Sequence, residues 1–159
     1  MRVIIPTYRE PLSVIMATME AVLEAALPSD TVRTVYLCDD GNDPNKKAYI
    51  ASLGRADVVY VSGRVRKPNE VNGKSANLNN CLKNVIYKNT PLNGKGEIDF
   101  TLISNRELIV VFDSDMRAGH DFFLKVGGEG GGGGGEKLGA MRATGQGGLH
   151  SWQNYDTMR

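Results

Sequence analysis

Short apolar runs alternate with amphipathic stretches along residues 1–126. Val3, Ile4 and Ile5 lead straight into Pro6, the pattern of a strand buried on both faces and stopped by the proline. From Pro11 to Leu27 the apolar positions Leu12, Ile15, Met16, Met19, Leu23 and Leu27 recur every three or four residues, with Glu20 and Glu24 on the other side. That spacing predicts an amphipathic helix with Pro11 in its first turn. The run TVYLCDDG (34–41) reads as a second strand ending in two Asp and a Gly, followed by a helix over 43–54 closed by Gly54. DVVYV (57–61) is a third strand, and KSANLNNCLKNVIYK (74–88) a third helix, with Ala76, Leu78, Leu82, Val85 and Ile86 on its apolar face. Residues 89–106 have no period and read as an irregular insertion before ELIVVFDSD (107–115), the fourth and most apolar strand.

Strand and helix alternate three times before that last strand, which predicts an α/β fold, a mostly parallel sheet with helices on both faces. Ligands of such sheets bind beyond the carboxyl ends of the strands. Tyr8, Asp39, Asp40, Asp113 and Asp115 all lie just past such ends, so the sheet should collect them on one rim.

After Val126 the pattern stops: eight glycines fall between 127 and 135, and 127–148 reads as a flexible linker between a domain at 1–126 and a short tail at 149–159. The tail holds the only Trp and is too short to form a domain.

Composition narrows the function classes. With 41% apolar and 23% charged residues the chain is ordinary for a water-exposed globular protein. Nineteen basic against eighteen acidic residues give a net charge of +1, with one short basic cluster, GRVRK at 63–67. That balance carries no footprint for nucleic acid or a polybasic membrane anchor. Cys38 and Cys81 lack metal-ligand spacing and read as reduced thiols in a reducing compartment. No signal peptide is visible, and the most apolar stretch, 12–27, is too short and too interrupted to span a bilayer.

Asp113 and Asp115 flank Ser114; were the strand to continue, both carboxylates would project to one side and could approach one divalent cation. Hard oxygen ligands suit Mg²⁺ or Mn²⁺ carrying a diphosphate, and the competing reading is a polar strand end capping a turn. Asp39-Asp40-Gly41 is by itself a turn signature, although one Asp there could accept a hydrogen bond from a base or ribose. Gly73-Lys74-Ser75 resembles the end of a phosphate loop, but the first glycine of that pattern would fall at Pro68, which has no N–H to offer a phosphate. Lys74 at a helix start can instead meet an anion together with free backbone N–H groups, against the default of a solvated lysine. Tyr8 sits between Pro6 and Pro11 in PTYREP, where rigid flanks would steady a ring for stacking, although a Tyr in a loop is more often simply packed.

Taken in order, IIPTYREP, YLCDDG, GKSANLNN and VVFDSD resemble the motifs of processive family 2 glycosyltransferases, nearest to the cellulose synthase and cellulose-synthase-like group, over residues 3–126. The resemblance implies a GT-A fold, a Rossmann-like sheet that binds a nucleotide sugar, incomplete here on its C-terminal side. It implies a UDP-sugar donor, UDP-glucose by preference, a polysaccharide acceptor in the complete enzyme, and Mg²⁺ or Mn²⁺. Tyr8 resembles the family's base-contacting Tyr and Asp39 its uracil-side Asp, while Lys74 and Asn77 resemble the Lys and Asn near the diphosphate. Asp113 and Asp115 resemble the metal-holding DxD pair; Glu10 and Asp40 join the nucleotide-sugar candidates. The family works at the cytosolic face of the plasma or Golgi membrane.

The family's later T-E-D segment, whose Asp deprotonates the acceptor hydroxyl, and its Q-x-x-R-W segment have no match in residues 1–159, and SWQNYD has the wrong order. No general base is identified, and the expectation is a donor-binding half that does not transfer sugar alone. Two other classes stay open. One is a non-catalytic nucleotide-sugar-binding or interaction module. The other is a haloacid-dehalogenase-type phosphohydrolase, whose nucleophile motif VVFDSD also resembles but which usually opens its domain with it.

Overall fold

A computed structural model describes residues 1–104 and 107–127, and the backbone of 140–142. Four parallel strands form the sheet: β1 (Arg2–Thr7), β2 (Thr34–Asp39), β3 (Val58–Val61) and β4 (Leu108–Val111). A fifth, β5 (Ala140–Arg142), pairs antiparallel with β4, and the order across the sheet is β3-β2-β1-β4-β5. The α/β, Rossmann-like architecture read from the sequence is therefore present. Ala140–Arg142 falls inside the stretch read as a linker; the rest of that stretch and the 149–159 tail lie outside the described residues.

Alternate strand residues face opposite sides, and each side has its own core. Val3, Ile5, Val35, Leu37, Val110 and Phe112 pack under α1 (Leu12–Glu24), α2 (Pro44–Ser52) and α4 (Phe122–Gly127) through Ile15, Met19, Val22, Ile50 and Phe123. Ile4, Tyr36, Cys38, Val61 and Ile109 pack on the other side under α3 (Gly73–Cys81) and the residues after it. Apolar burial on both faces explains why the strands read as continuous apolar runs rather than alternating ones.

Three boundaries differ from the sequence reading. β1 does not stop at Pro6 but pairs with β2 as far as Thr7, because its ladder to β2 uses the backbone groups of alternate residues and spares the proline. β4 ends at Val111, well short of Asp115. The third helix changes to a π turn over Leu82–Ile86. The extra residue in that turn rotates the chain, so Tyr87 joins Leu78 and Cys81 in the buried cluster, with Leu82, Val85 and Ile86 packed against it.

The strand order reverses at β1: β2 and β3 lie to one side and β4 to the other. A crevice forms at such a switch point because successive connections leave on opposite faces. Phe112 N–H donates to Ile4 O at 3.0 Å. Pro6, two residues further, faces the same neighbour and has no N–H to donate, so the β1–β4 ladder ends there and the two chains part.

Candidate functional site

The parting of β1 and β4 opens into a cleft of about 410 Å³. Tyr8 and Glu10 reach it from the end of β1, and Asp113, Ser114 and Asp115 from the end of β4. Lys74 and Asn77 enter from α3, Asp40 from the end of β2, and Arg66 from the loop before α3.

Each wall is pinned by a buried polar contact. Thr18 Oγ1, on α1, donates to Ser114 O at 2.6 Å and holds the turn that carries Asp113 and Asp115. Met116 N–H closes that turn on Asp113 O at 3.0 Å, so the two carboxylates stand on a turn rather than on an extended strand. Asn77 Nδ2 donates to Cys38 O at 2.7 Å, which fixes the first turn of α3, and hence Lys74, against the end of β2. Gly41 is required by close approach: a Cβ there would lie 2.3 Å from Tyr8 O. Glu10 accepts from Thr7 Oγ1 at 2.8 Å and from Tyr8 N–H at 2.6 Å. Partial burial works against its charge, but these hydrogen bonds prevail and hold its carboxyl below the ordinary range.

The sequence candidates separate into two groups. Asp39 is buried and does not line the cleft. Its Oδ1 accepts from Gly41 N–H at 3.0 Å and Lys46 Nζ at 3.4 Å, its Oδ2 from Asp43 N–H at 2.7 Å and Tyr60 Oη at 2.8 Å. With four donors in place, Asp39 organises the β2–α2 turn and has no lone pair directed at a ligand. Burial, and then the bond to Asp39, raise the Tyr60 hydroxyl's pKa. Asp40 does line the cleft, where Arg64 grips it and also binds Glu70 at 2.9 Å. The bond from Arg64 holds Glu70 below the usual carboxylate range, and the bonds to Asp40 first and Glu70 second hold the Arg64 guanidinium above its own. Tyr8, Glu10, Lys74, Asn77, Asp113 and Asp115 come together in the cleft.

Lys74 Nζ bonds Asp113 across the cleft, both side chains half-exposed. The ammonium stands against Asp113 where an inorganic cation would neutralise it. Among the described residues no group of three His, Cys, Asp or Glu is placed to hold a metal. Two carboxylates alone suit an ion that keeps its remaining positions for phosphate oxygens and water, which is how Mg²⁺ is commonly held. The donor set thus fits a cation arriving with a diphosphate and does not fit a resident structural metal.

Sequence reasoning missed Lys46, Arg64 and Arg66. Lys46 is fully buried on α2 and also donates to Thr7 Oγ1 at 3.0 Å and Tyr8 O at 3.2 Å. Nothing local marks a lysine among Asn45, Lys47 and Ala48 as buried. Arg64 and Arg66 were visible as the GRVRK cluster, read there only as charge.

No family model matches the chain. Over 81 residues, 51% of this chain and 10% of the relative, the sequence is 36% identical to the UDP-forming cellulose synthase catalytic subunit of Xanthomonas axonopodis pv. citri (strain 306). Over 113 residues, 71% of this chain and 12% of the relative, it is 29% identical to the protein of the same description from Pseudomonas fluorescens (strain SBW25). The chain spans about a tenth of the length of these curated relatives. Among the described residues no helix is long and apolar enough to cross a membrane. At this level, partial in coverage and modest in identity, the chain is similar to a cellulose-synthase-like glycosyltransferase.

Proposed function

We propose that residues 1–126 form the donor-binding part of a glycosyltransferase that uses a UDP-sugar, UDP-glucose by preference, with Mg²⁺ or Mn²⁺ in the synthesis of a cellulose-like polysaccharide. One observation carries the reading: an aromatic ring, a lysine at a helix start and a pair of carboxylates meet in one cleft at the switch point of a parallel sheet. Tyr8 offers a face for the base, and Lys74 with the free N–H groups of α3 an anion site for the diphosphate. Asp113 and Asp115 would hold the cation, which would offset the charge that develops on the departing nucleotide. Asp40, not the saturated Asp39, is the carboxylate of the DDG segment that lines the cleft, where a base or ribose would meet it together with the Arg64 that binds both its oxygens. In the complete enzyme the acceptor is a polysaccharide, and the setting is the cytosolic face of a plasma or Golgi membrane.

Donor binding without transfer is the expectation for residues 1–159 alone. Three of the cleft carboxylates are already engaged, Glu10 by Thr7 and Tyr8, Asp40 by Arg64 and Asp113 by Lys74. A carboxylate held in this way is a poor acceptor for a hydroxyl proton. Calorimetric titration with UDP tests the reading: saturable binding that strengthens with Mn²⁺ and weakens with EDTA is expected. No binding, with or without metal, overturns it.

A further inference from the structure

We propose that Arg66 is a further donor-contacting residue, a second cation beside Lys74, which lies on the Tyr8 ring in the free protein and moves to the diphosphate when the base takes its place. The Arg66 guanidinium carbon is 4.4 Å from the Tyr8 ring centroid. Arg9 also approaches that ring, at 4.9 Å, but Arg66 lines the cleft and Arg9 does not. The cleft-side stacking surface of Tyr8 is therefore already taken by a planar cation. Gly73 makes room for it: a Cβ at Gly73 would sit 2.5 Å from Arg66 Cζ and Nη2. The guanidinium is otherwise held lightly, by Nη2 donating to Glu70 O at 3.3 Å. Arg64, by contrast, is clamped between Asp40 and Glu70, so the loop stays anchored while Arg66 can leave.

A heterocycle and a guanidinium cannot share one face of the ring. A base that stacks there displaces Arg66 within the same cleft that Lys74 enters, where a guanidinium suits the fork of two phosphate oxygens. The displaced cation thus supplements Lys74. The stacking contact competes with a bare nucleoside, whereas the freed charge assists a nucleoside diphosphate.

This inference rests on the donor-binding reading above, and two variants with two probes separate their failures. Arg66→Ala removes both the plug and the charge; Gly73→Ala pushes the guanidinium off the ring and keeps its charge. Uridine and UDP with Mn²⁺ are titrated by NMR into the 159-residue chain and each variant. Uridine is expected to bind roughly threefold to tenfold more tightly to both variants, the scale of a lost cation–π contact. UDP is expected to weaken about tenfold in Arg66→Ala, the scale of a lost charge-assisted hydrogen bond, and to hold or tighten in Gly73→Ala. A purely structural role would weaken both probes in both variants and overturns the proposal. Unchanged uridine affinity in both variants, with UDP still binding the parent chain, overturns the Arg66 exchange alone. Absence of UDP binding to the parent chain overturns the donor reading and this inference with it.

Discussion

Lys46 Nζ donates to Tyr8 O at 3.2 Å, so a lysine with only 1% of its side chain exposed ties α2 to the loop that carries the aromatic ring of the cleft. The same ammonium faces Asp39, which is as thoroughly buried. Replacing Lys46 with Met leaves that carboxylate without a cation in a place water does not reach. Removal of one partner from a buried pair costs about 3–5 kcal/mol. Urea denaturation of Lys46→Met should show a loss of that order, and Asp39→Asn combined with Lys46→Met a smaller one. Equal losses in the single and double variants would mean that Asp39 draws its support from Gly41, Asp43 and Tyr60 alone.

Asp113 and Asp115 should behave in the opposite manner. Both are exposed, and the Lys74–Asp113 pair belongs to the class of surface ion pairs worth about 0–1 kcal/mol. Asp113→Asn and Asp115→Asn are expected to keep the parent melting temperature within a few degrees while reducing the Mn²⁺-dependent part of UDP affinity. A large loss of thermal stability in either would assign the turn a structural role.

Glu10 gives a pH signature. Its folded pKa lies below the ordinary 4.5, so its contribution to stability is fully present above the unfolded value and disappears as pH falls through the lower folded one. Glu10→Gln should therefore be less stable than the parent near neutrality, with the gap narrowing only below about pH 4.5. Parallel urea titrations across pH 3 to 7 check this; a gap constant across the range would remove ionisation from the account.

Polymer synthesis by residues 1–159 is not expected. The sequence reading identifies no general base, and want of one would cost on the order of 10²- to 10⁴-fold, with a further loss where the acceptor is not positioned. Slow hydrolysis of UDP-glucose by water is the most the cleft should support. Robust incorporation of labelled glucose into polymer would contradict this.

The alternation of strands and helices and the gathering of Tyr8, Asp40, Asp113 and Asp115 on one rim were legible because burial on both faces of a parallel sheet leaves uninterrupted apolar runs whose ends are easily seen. The strand order was not, since the apolarity of a strand does not announce its neighbours. Asp39 and Asp40 were indistinguishable as adjacent carboxylates; only the pleat sends one into the β2–α2 turn and the other to the cleft. The apolar face read for the third helix packs as expected through Leu78, Leu82, Val85 and Ile86, but it omitted Tyr87, because a 3.6-residue period cannot foresee a π turn that brings Tyr87 inward. The expected extension of β4 to Asp115 failed for a related reason, since a turn closed by Met116 N–H is decided by tertiary contacts such as Thr18 with Ser114.

Pro6 sets the sheet and the cleft in competition for a single hydrogen atom. A residue with an N–H there could add a rung between β1 and β4, worth about 0.5–1.5 kcal/mol, against the entropy of the unfolded chain that proline removes. Such a change could leave folding stability nearly level and still draw the two walls together. Variants selected for stability alone would have no reason to keep the opening, and those selected for ligand capture would. In this chain the parting of the two walls is tied to a donor that the backbone at Pro6 does not have.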